Sequence, residues 1–298
     1  MRVVIIGLGL IGGSIAIDLR KVGVATQLIG VDQNDDHANE ALRLGIVDGV
    51  MNLDEAIKNT DLIILSIPVT AMVGVIGDLL SRVSSDVTLI DMGSTKAAIC
   101  NSVKSHEKRS QFVAAHPIAG TENSGPSAAF SGLFNNKTMI VCEKELSSDS
   151  ALEMANKVFA AMGVKTIFMN PVEHDKHVAY VSHLSHVSSF LLGQTVMDIE
   201  KDEKNIFDLA GSGFASTVRL AKSSPDMWAP IFEQNVEYLS QALLEYIMHL
   251  QRFHYHLMKK DSKEIHRIMT EANEIRRVLS GIELKDEKLN KVESLIEE

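Results

Sequence analysis

The first candidate for a catalytic residue in this sequence is a histidine that directly follows an apolar run. His116 follows the run Phe112–Ala115, which is typical of a buried strand. A neutral imidazole at such a strand end can take a proton from a hydroxyl while the carbon that bears the hydroxyl is oxidised. Ser94 stands at the end of the neighbouring predicted strand, so its hydroxyl is expected at the same edge of the sheet. The two positions predict general-base chemistry at this edge.

Further histidines and one arginine fall on predicted helices. His183 and His186 are three residues apart, and therefore share a helix face. With His174 and His177 they suggest a metal site, but no cysteine or carboxylate cluster completes a ligand set, so substrate binding or helix packing is favoured. Arg219 offers a planar fork that fits a carboxylate, although an exposed helical arginine is the simpler interpretation of the residue alone.

A glycine-rich turn gives the clearest signal for a cofactor. The segment Gly7–Gly12 matches G-x-G-x-x-G, follows the buried-strand candidate Val3–Ile6 and opens a predicted helix. In this motif Gly7 permits the tight turn, Gly9 lets the backbone approach a pyrophosphate, and Gly12 allows close packing of helix on strand. The amino end of the helix offers unpaired N–H groups to the phosphates. The pattern predicts a bound dinucleotide.

An acidic residue indicates which dinucleotide is preferred. Asp32 stands 20 residues after Gly12, at the end of the second predicted strand, where an acid accepts hydrogen bonds from the adenosine ribose. Its charge repels a 2′-phosphate, and Gln33 and Asn34 add no cation, so NAD is favoured over NADP. The predicted cofactor contacts are Gly7, Gly9, Leu10, Ile11, Gly12 and Asp32, with Ser66 and Pro68 following the apolar stretch Leu62–Leu65.

The elements that must position these residues alternate between short apolar runs and helical patterns. Continuous apolar strands separated by helices predict a parallel sheet that is covered on both faces. The predicted strands are Val3–Ile6, Leu28–Asp32, Leu62–Ile67, Val87–Asp91, Phe112–Ala115, Met139–Cys142 and Lys165–Phe168.

The pattern becomes entirely helical from about Pro171 onward, over His174–Val196, Met227–Met258 and Ser262–Ser280. The charged segment Glu283–Glu298 is expected to be a surface helix or a frayed end. We therefore predict an α/β protein, with a Rossmann-type doubly wound sheet over residues 1–170. An all-helical domain for substrate binding and dimerisation is predicted over residues 171–298, because its long helices carry more apolar residues than one buried face needs.

Composition excludes several classes of function. The 298 residues contain 29 Lys+Arg and 39 Asp+Glu, a net charge of −10 that argues against a nucleic-acid or anionic-membrane partner. The charge does not exclude an anionic substrate, because net charge does not describe a cleft. The opening apolar run is too short for a signal peptide, no stretch has the length of a membrane span, and Cys100 and Cys142 are too few for a disulfide scaffold. We expect a cytoplasmic protein.

Taken together, the motifs resemble those of the prephenate/arogenate dehydrogenases of tyrosine biosynthesis, over roughly residues 1–280. The H-P-I-A-G-T-E-x-S-G run and the helical-half segments are far more specific than the glycine motif. The segments that carry the resemblance are Gly7–Gly12 with Asp32, Gly93–Lys96, His116–Gly125, Ser182–His186 and Gly213–Trp228.

The resemblance implies NAD(P)-dependent oxidative decarboxylation of prephenate to 4-hydroxyphenylpyruvate, or of arogenate to tyrosine. It implies a homodimer formed through the helical domain and a small dicarboxylate substrate. Position by position, it makes His116 the base for the C4 hydroxyl of the substrate ring, and Ser94 a second partner of that hydroxyl that helps to orient His116. An arginine would bind a substrate carboxylate. The substrate-binding residues that it implies are Arg219, His183, Thr121 and Glu122.

One departure from the family pattern concerns the arginine. Family members carry an Asp a few residues before it, where this chain has Ala215, Ser216 and Thr217, so the charge partner of Arg219 is open. Prephenate is the favoured substrate, with arogenate as the nearest alternative. A β-hydroxyacid dehydrogenase is less favoured, because those enzymes typically use a lysine where this helical half has histidines. A non-catalytic NAD-binding sensor would not need a base, a hydroxyl and an arginine together.

Overall fold

A single mixed sheet organises the first part of the chain. The computed structural model describes residues 1–203 and 205–281. The strands are β1 (Arg2–Ile6), β2 (Gln27–Val31), β3 (Gly49–Val50), β4 (Leu62–Leu65), β5 (Thr88–Asp91), β6 (Phe112–Ile118), β7 (Thr138–Cys142) and β8 (Lys165–Met169). Among the described residues they form one sheet in the order β3-β2-β1-β4-β5-β6-β7-β8. Neighbouring strands are parallel except for β6 and β7, which are antiparallel.

Helices cover both faces of this sheet, as the continuous apolar strands predict. Val3 and Ile5 of β1 point to one face, and Val4 and Ile6 point to the other, because successive side chains of a strand alternate. The helices are α1 (Leu10–Lys21), α2 (Asp35–Arg43), α3 (Leu53–Ala56), α4 (Val69–Arg82), α5 (Ala97–Val103), α6 (Asp149–Ala161), α7 (Pro171–Val178), α8 (Leu184–Asp202), α9 (Ser212–Thr217), α10 (Pro225–Gln234), α11 (Val236–Met258) and α12 (Ser262–Ala272). Side chains of α1, α2 and α6 pack on the first face, and side chains of α3, α4, α5 and α10 pack on the second.

The order of the strands reverses at β1, which lies between β2 and β4. In an open α/β sheet such a switch point leaves a crevice outside the carboxyl ends of the strands, where ligands bind. Because β1, β4, β5 and β6 are parallel neighbours, the loops that follow them meet at one edge. The Rossmann-type prediction is thereby confirmed.

Two details differ from the predicted strands. The two-residue strand Gly49–Val50 was not predicted. The prediction that His116 follows a strand ending at Ala115 was wrong, because β6 continues to Ile118 and His116 lies opposite Ile140 of β7. The antiparallel return of β7 holds the backbone of β6 extended past its apolar run. The apolar run Phe112–Ala115 does not by itself reveal that β7 pairs with this strand.

The helical half also differs in detail from its predicted pattern. One helix over Met227–Met258 was predicted, but α10 ends before Asn235 and α11 begins after it. The side chain of Asn235 is buried and donates to the carbonyl of Asp175, 2.8 Å away, so this residue serves a tertiary contact at the break. A π-helical turn, Ala179–His183, joins α7 to α8.

The chain divides into two compact units, residues 1–239 and residues from 240 onward. The domain boundary between residues 170 and 171 stays a prediction. Instead of one helix over Ser262–Ser280, α12 ends at Ala272 and a 3-10 turn, Asn273–Ile275, follows. The predicted tail element, Glu283–Glu298, lies outside the described residues. Within the described part of the chain, no helix combines the length and the hydrophobicity that crossing a membrane requires.

A buried ion pair joins the carboxyl end of β5 to the middle of β6. Lys96 and Asp91 form a salt bridge in which both side chains are fully buried. Lys96 Nζ also donates to the carbonyl of Ala115, 2.7 Å away. Asp91 accepts from the backbone N–H groups of Gly93 and Ala115, at 2.9 and 3.1 Å. With this many partners the buried charges are well satisfied, which is the condition under which such a pair is tolerated.

Removing the lysine from this pair should be costly. We expect Lys96→Met to lower the free energy of unfolding by about 3–5 kcal/mol, because it leaves Asp91 buried without its cation. The matched control is Lys201→Met on α8, whose ion pair with Asp198 is exposed. Its expected cost is less than about 1 kcal/mol. Urea denaturation of both variants makes the comparison, and equal losses would contradict the role given to the buried pair.

Candidate active site

The glycine turn after β1 has the geometry of a phosphate-binding loop. Gly7 has a φ of +93°, and a Cβ there would lie 2.4 Å from the carbonyl oxygen of Ser66. A Cβ on Gly12 would lie 2.1 Å from the carbonyl oxygen of Gly7, so these two glycines are required by the fold. A Cβ on Gly9 would meet no atom within 4 Å. Gly9 directly precedes α1, so open space adjoins the unpaired N–H groups of the helix, which fits a pyrophosphate.

Asp32 lies next to this loop, directly after β2. Its Oδ2 accepts from the backbone N–H of Leu8 at 2.8 Å, and its Oδ1 accepts from that of Asn34 at 2.9 Å. Each carboxylate oxygen can accept more than one hydrogen bond, so both retain capacity for ribose hydroxyls. The fixed negative charge beside the loop fits NAD and disfavours a 2′-phosphate.

The other predicted cofactor residues lie around the same loop. The hydroxyl of Ser66 donates to the carbonyl oxygens of Gly7 (2.8 Å) and Ile6 (3.2 Å), so it stabilises the backbone of the glycine turn. Pro68 is the residue before α4. Leu10 is buried and Ile11 is half-buried in the first turn of α1. Direct contacts of these four residues, Ser66, Pro68, Leu10 and Ile11, with a cofactor stay a prediction.

His116 is buried on β6 and is held by a second histidine. Its Nδ1 lies 2.8 Å from Nε2 of His174, and Nδ1 of His174 lies 2.7 Å from Oδ1 of Asp175. Burial holds the pKa of His116 well below its ordinary value, and the nearby cation of Lys96 acts in the same direction. The imidazole of His116 is therefore neutral near neutral pH, as a general base must be.

Asp175 connects three helices through its carboxylate and its backbone carbonyl. Its Oδ1 accepts from the backbone N–H of Lys96 at 2.7 Å, and its Oδ2 accepts from that of Ala97 at 2.9 Å, at the start of α5. The side-chain amide of Asn235 donates to the carbonyl of Asp175 and lies 3.1 Å from Nδ1 of His183. The beginning of α5, the helix α7 and the end of α10 are thus joined at one residue.

The histidines that suggested a metal site have different partners in the structure. His183 lies in the π-helical turn, with its ring centroid 5.9 Å from that of Trp228, and burial lowers its pKa to about 4. His186 stacks on Trp228 at 3.5 Å between centroids. His174 faces His116, as described above, and His177 is exposed. His183 and His186 thus pack against Trp228, and His174 holds His116.

Arg219 has a charge partner from a different element. Its Nη1 lies 2.8 Å from Oε2 of Glu122, which lies in the loop after β6. A backbone hydrogen bond and this ion pair lower the pKa of Glu122. The hydroxyls of Ser216 and Thr217 instead donate to the carbonyl of Gly213, at 2.9 Å each. Glu122 therefore pairs with the arginine in place of the acid that the sequence lacks nearby.

Ser94 and Thr121 lie in loops at the same edge. Ser94 is half-buried, three residues after the end of β5. The hydroxyl of Thr121 accepts from the backbone N–H of Asn123 at 3.2 Å and so shapes its own turn. Both loops follow neighbouring parallel strands, as the sequence predicts, but contact of either side chain with a substrate stays a prediction.

Several residues of the site were not assigned these roles from the sequence. Asp175 and Asn235 were not singled out, because their partners lie far along the chain. Ser189 was missed too: it accepts from the N–H of Ala221 and donates to the carbonyl of Thr217, each at 3.1 Å, and so holds the turn that carries Arg219. A His-Asp pair at the start of a helix is the sole local signal, and it has no meaning without its tertiary partners.

Both halves of the chain match family profiles of known proteins. The profile for the prephenate dehydrogenase nucleotide-binding domain matches residues 15–168, and the profile for the prephenate dehydrogenase dimerization domain matches residues 170–271. The prephenate dehydrogenase of Bacillus subtilis is 29% identical over 282 residues, which cover 92% of this chain and 75% of the relative.

Two solved structures are similar over nearly the whole chain. The prephenate dehydrogenase of Aquifex aeolicus, in complex with hydroxyphenyl propionate and NAD+, has a TM-score of 0.85 at 29% identity and covers 94% of this chain and 98% of its own. Synechocystis arogenate dehydrogenase has a TM-score of 0.72 at 27% identity, with 94% of this chain and 100% of that chain covered.

Two glycine substitutions separate cofactor binding from folding. Gly9→Ala should leave the free energy of unfolding within about 0.5 kcal/mol of the original, because its Cβ meets open space. It should weaken NAD binding by about tenfold or more, the effect of roughly 1.4 kcal/mol of steric conflict with the phosphates. Gly12→Ala should destabilise the fold itself. Calorimetric titration and urea denaturation measure both; unchanged NAD affinity in Gly9→Ala would place the phosphates elsewhere.

Proposed function

The chain belongs to the prephenate dehydrogenase family, and on that premise we propose that it catalyses the NAD-dependent oxidative decarboxylation of prephenate to 4-hydroxyphenylpyruvate. The observation that carries the proposal is the buried, neutral His116 on a strand whose carboxyl end shares an edge with the dinucleotide loop. Because both halves of the chain match the prephenate dehydrogenase family, we do not propose a β-hydroxyacid dehydrogenase or a non-catalytic NAD-binding sensor.

The reaction needs few protein groups. The C4 hydroxyl of prephenate becomes a carbonyl as hydride leaves C4, and the ring carboxylate departs as CO2 while the ring becomes aromatic. NAD, when bound, accepts the hydride. His116 takes the hydroxyl proton and returns it to the C4 oxygen as the ring becomes aromatic, and Ser94 bonds to the same hydroxyl. Aromatisation drives the loss of CO2, so the work of the protein is positioning and general-base catalysis.

Arg219 is proposed to bind a carboxylate of the substrate. Its guanidinium already holds the carboxylate of Glu122, and its side chain is 51% exposed, so a substrate carboxylate can take the place of Glu122. A bidentate pair would orient the substrate as well as bind it. Within this proposal His183 and Thr121 line the remainder of the pocket.

Arogenate is a second candidate substrate. It differs from prephenate in carrying an amino group where prephenate has the side-chain keto group. The similarity to Synechocystis arogenate dehydrogenase is the observation that favours it. Both substrates present the same ring hydroxyl to His116, so the same residues would act on either.

Turnover by the purified protein tests the function directly. With prephenate and arogenate, each offered with NAD and with NADP, we expect the highest kcat/KM for prephenate with NAD. His116→Asn should lower kcat by about 10²–10⁴-fold with little change in KM, because it removes a proton acceptor used in the transition state. Absence of turnover with every combination would refute the function, and an unchanged kcat in His116→Asn would refute the role of His116.

We also propose that the chain forms a homodimer through its helical half. The helix α11 exposes large apolar side chains, Leu244, Met248, Leu250, Leu257 and Met258, each more than half exposed. Exposed apolar surface of this kind is typical of an interface. The dimerization profile covers this helix, which supports the proposal.

Sedimentation tests the dimer. At micromolar concentration we expect the mass of two chains, and Leu244→Glu with Met248→Glu should shift the protein to monomer, because two charges would be buried in the interface. Val22→Glu is the control, since Val22 is exposed next to α1 in the other unit and should leave the dimer intact. A monomeric parent protein would contradict the proposal.

The cysteines support a proposed cytoplasmic location. Cys100 and Cys142 are both free and buried, and burial raises the pKa of Cys142 to about 12. Inert thiols without a disulfide suit a reducing compartment.

A further inference from the structure

The backbone around Asp175 determines the direction of the hydrogen bonds that reach His116. A peptide N–H can only donate, and Asp175 receives one such donor on each of its carboxylate oxygens, from Lys96 and from Ala97. Both carboxylate oxygens are therefore acceptors, and an ionised carboxylate has no proton to donate. The third partner, Nδ1 of His174, must therefore donate its proton to Asp175 across 2.7 Å.

This donation fixes the other nitrogen of His174. A neutral imidazole carries one N–H, and burial lowers the pKa of His174, so the ring stays neutral with its proton on Nδ1. Its Nε2 is then a bare acceptor. That atom lies 2.8 Å from Nδ1 of His116, so Nδ1 of His116 must be the donor. The remaining nitrogen of His116, Nε2, is left without a proton.

We propose that His174 and Asp175 are positioning residues that hold His116 in the tautomer with a protonated Nδ1 and a bare Nε2. The inference rests on the proposed function, in which that Nε2 receives the proton of the C4 hydroxyl. The O–H bond breaks and an N–H bond forms at Nε2 as hydride leaves C4. The resulting imidazolium keeps its Nδ1–H bond to His174, and through it faces the carboxylate of Asp175.

The opposite tautomer would block the reaction. If His116 carried its proton on Nε2, the nitrogen facing the hydroxyl would be a donor and could not accept a proton. Among the described hydrogen bonds of the His116 ring, the one from Nδ1 to Nε2 of His174 selects the tautomer. The cationic Lys96 is neutralised by Asp91 and donates to the carbonyl of Ala115, not to the ring.

The tautomer can be observed without turnover. In ¹⁵N solid-state NMR of protein labelled in its histidine rings, the His116 signals are those missing from His116→Asn. We expect one protonated nitrogen, Nδ1, and one bare nitrogen, Nε2, with Nδ1 coupled to Nε2 of His174. A proton on Nε2 of His116 would overturn the proposal. This outcome does not depend on any substrate, so failure of the proposed function and failure of this inference are distinguishable.

Kinetics of three variants test the consequence. His174→Phe removes the acceptor for Nδ1–H of His116 and should lower kcat by about 10²-fold with KM nearly unchanged, because the base is lost while substrate binding is kept. His174→Gln, whose side-chain oxygen can accept the same hydrogen bond, should restore most of kcat. His177→Phe on the exposed side of the same helix is the control and should match the parent.

Thermal unfolding of each variant separates this role from simple packing. A kcat preserved in folded His174→Phe, or a folded His174→Gln no more active than His174→Phe, would overturn the positioning role. Loss of the bare Nε2 signal of His116 in His174→Phe is the expected spectroscopic counterpart.

Discussion

The carboxylate of Asp175 is the constraint on which the site depends. It is buried, and it accepts hydrogen bonds from two backbone N–H groups at the start of α5 and from the ring of His174. A buried charge is stable only when fully paired, so these partners hold the helix α7 in one position against the sheet. The position of α7 in turn places His174 beside His116. The helical half of the chain thereby holds the ring of His116 on the sheet.

A second buried charge stabilises the same edge from within the sheet. Lys96 bridges Asp91 at the end of β5 and the carbonyl of Ala115 in β6, directly before His116. The backbone N–H of Lys96 bonds to Asp175, so one residue joins both polar clusters. Buried networks of this kind specify a unique arrangement when every member is satisfied, and they are costly when one is removed. Such rigidity suits a base that must meet a hydroxyl at a defined distance.

The proposed site draws on two parts of the chain that meet at one edge of the sheet. These are the loops after the parallel strands and a turn of the helical half. Parallel strands bring the glycine loop and His116 to the same side, because each strand runs in the same direction before its loop. The arginine arrives from a turn of the helical half, held by Ser189 of α8 and paired with Glu122 of the loop after β6. An anionic substrate can therefore be bound by a chain of net charge −10.

The sequence by itself determined the architecture and the residues that we propose for the site. Hydrophobic periodicity, glycine spacing and the position of Asp32 are local properties of the chain, so they predicted the sheet, the glycine loop and the strand Phe112–Ala115 that leads to His116. What only the tertiary structure decided were the partners: His174 for His116, Glu122 for Arg219, Asn235 for Asp175, and the antiparallel return of β7 that extends β6. Each of these contacts joins residues far apart in sequence, and the residue types involved have many possible partners. These residues pair because the packed elements bring their polar groups within hydrogen-bond distance. The sequence pattern does not specify which groups come that close.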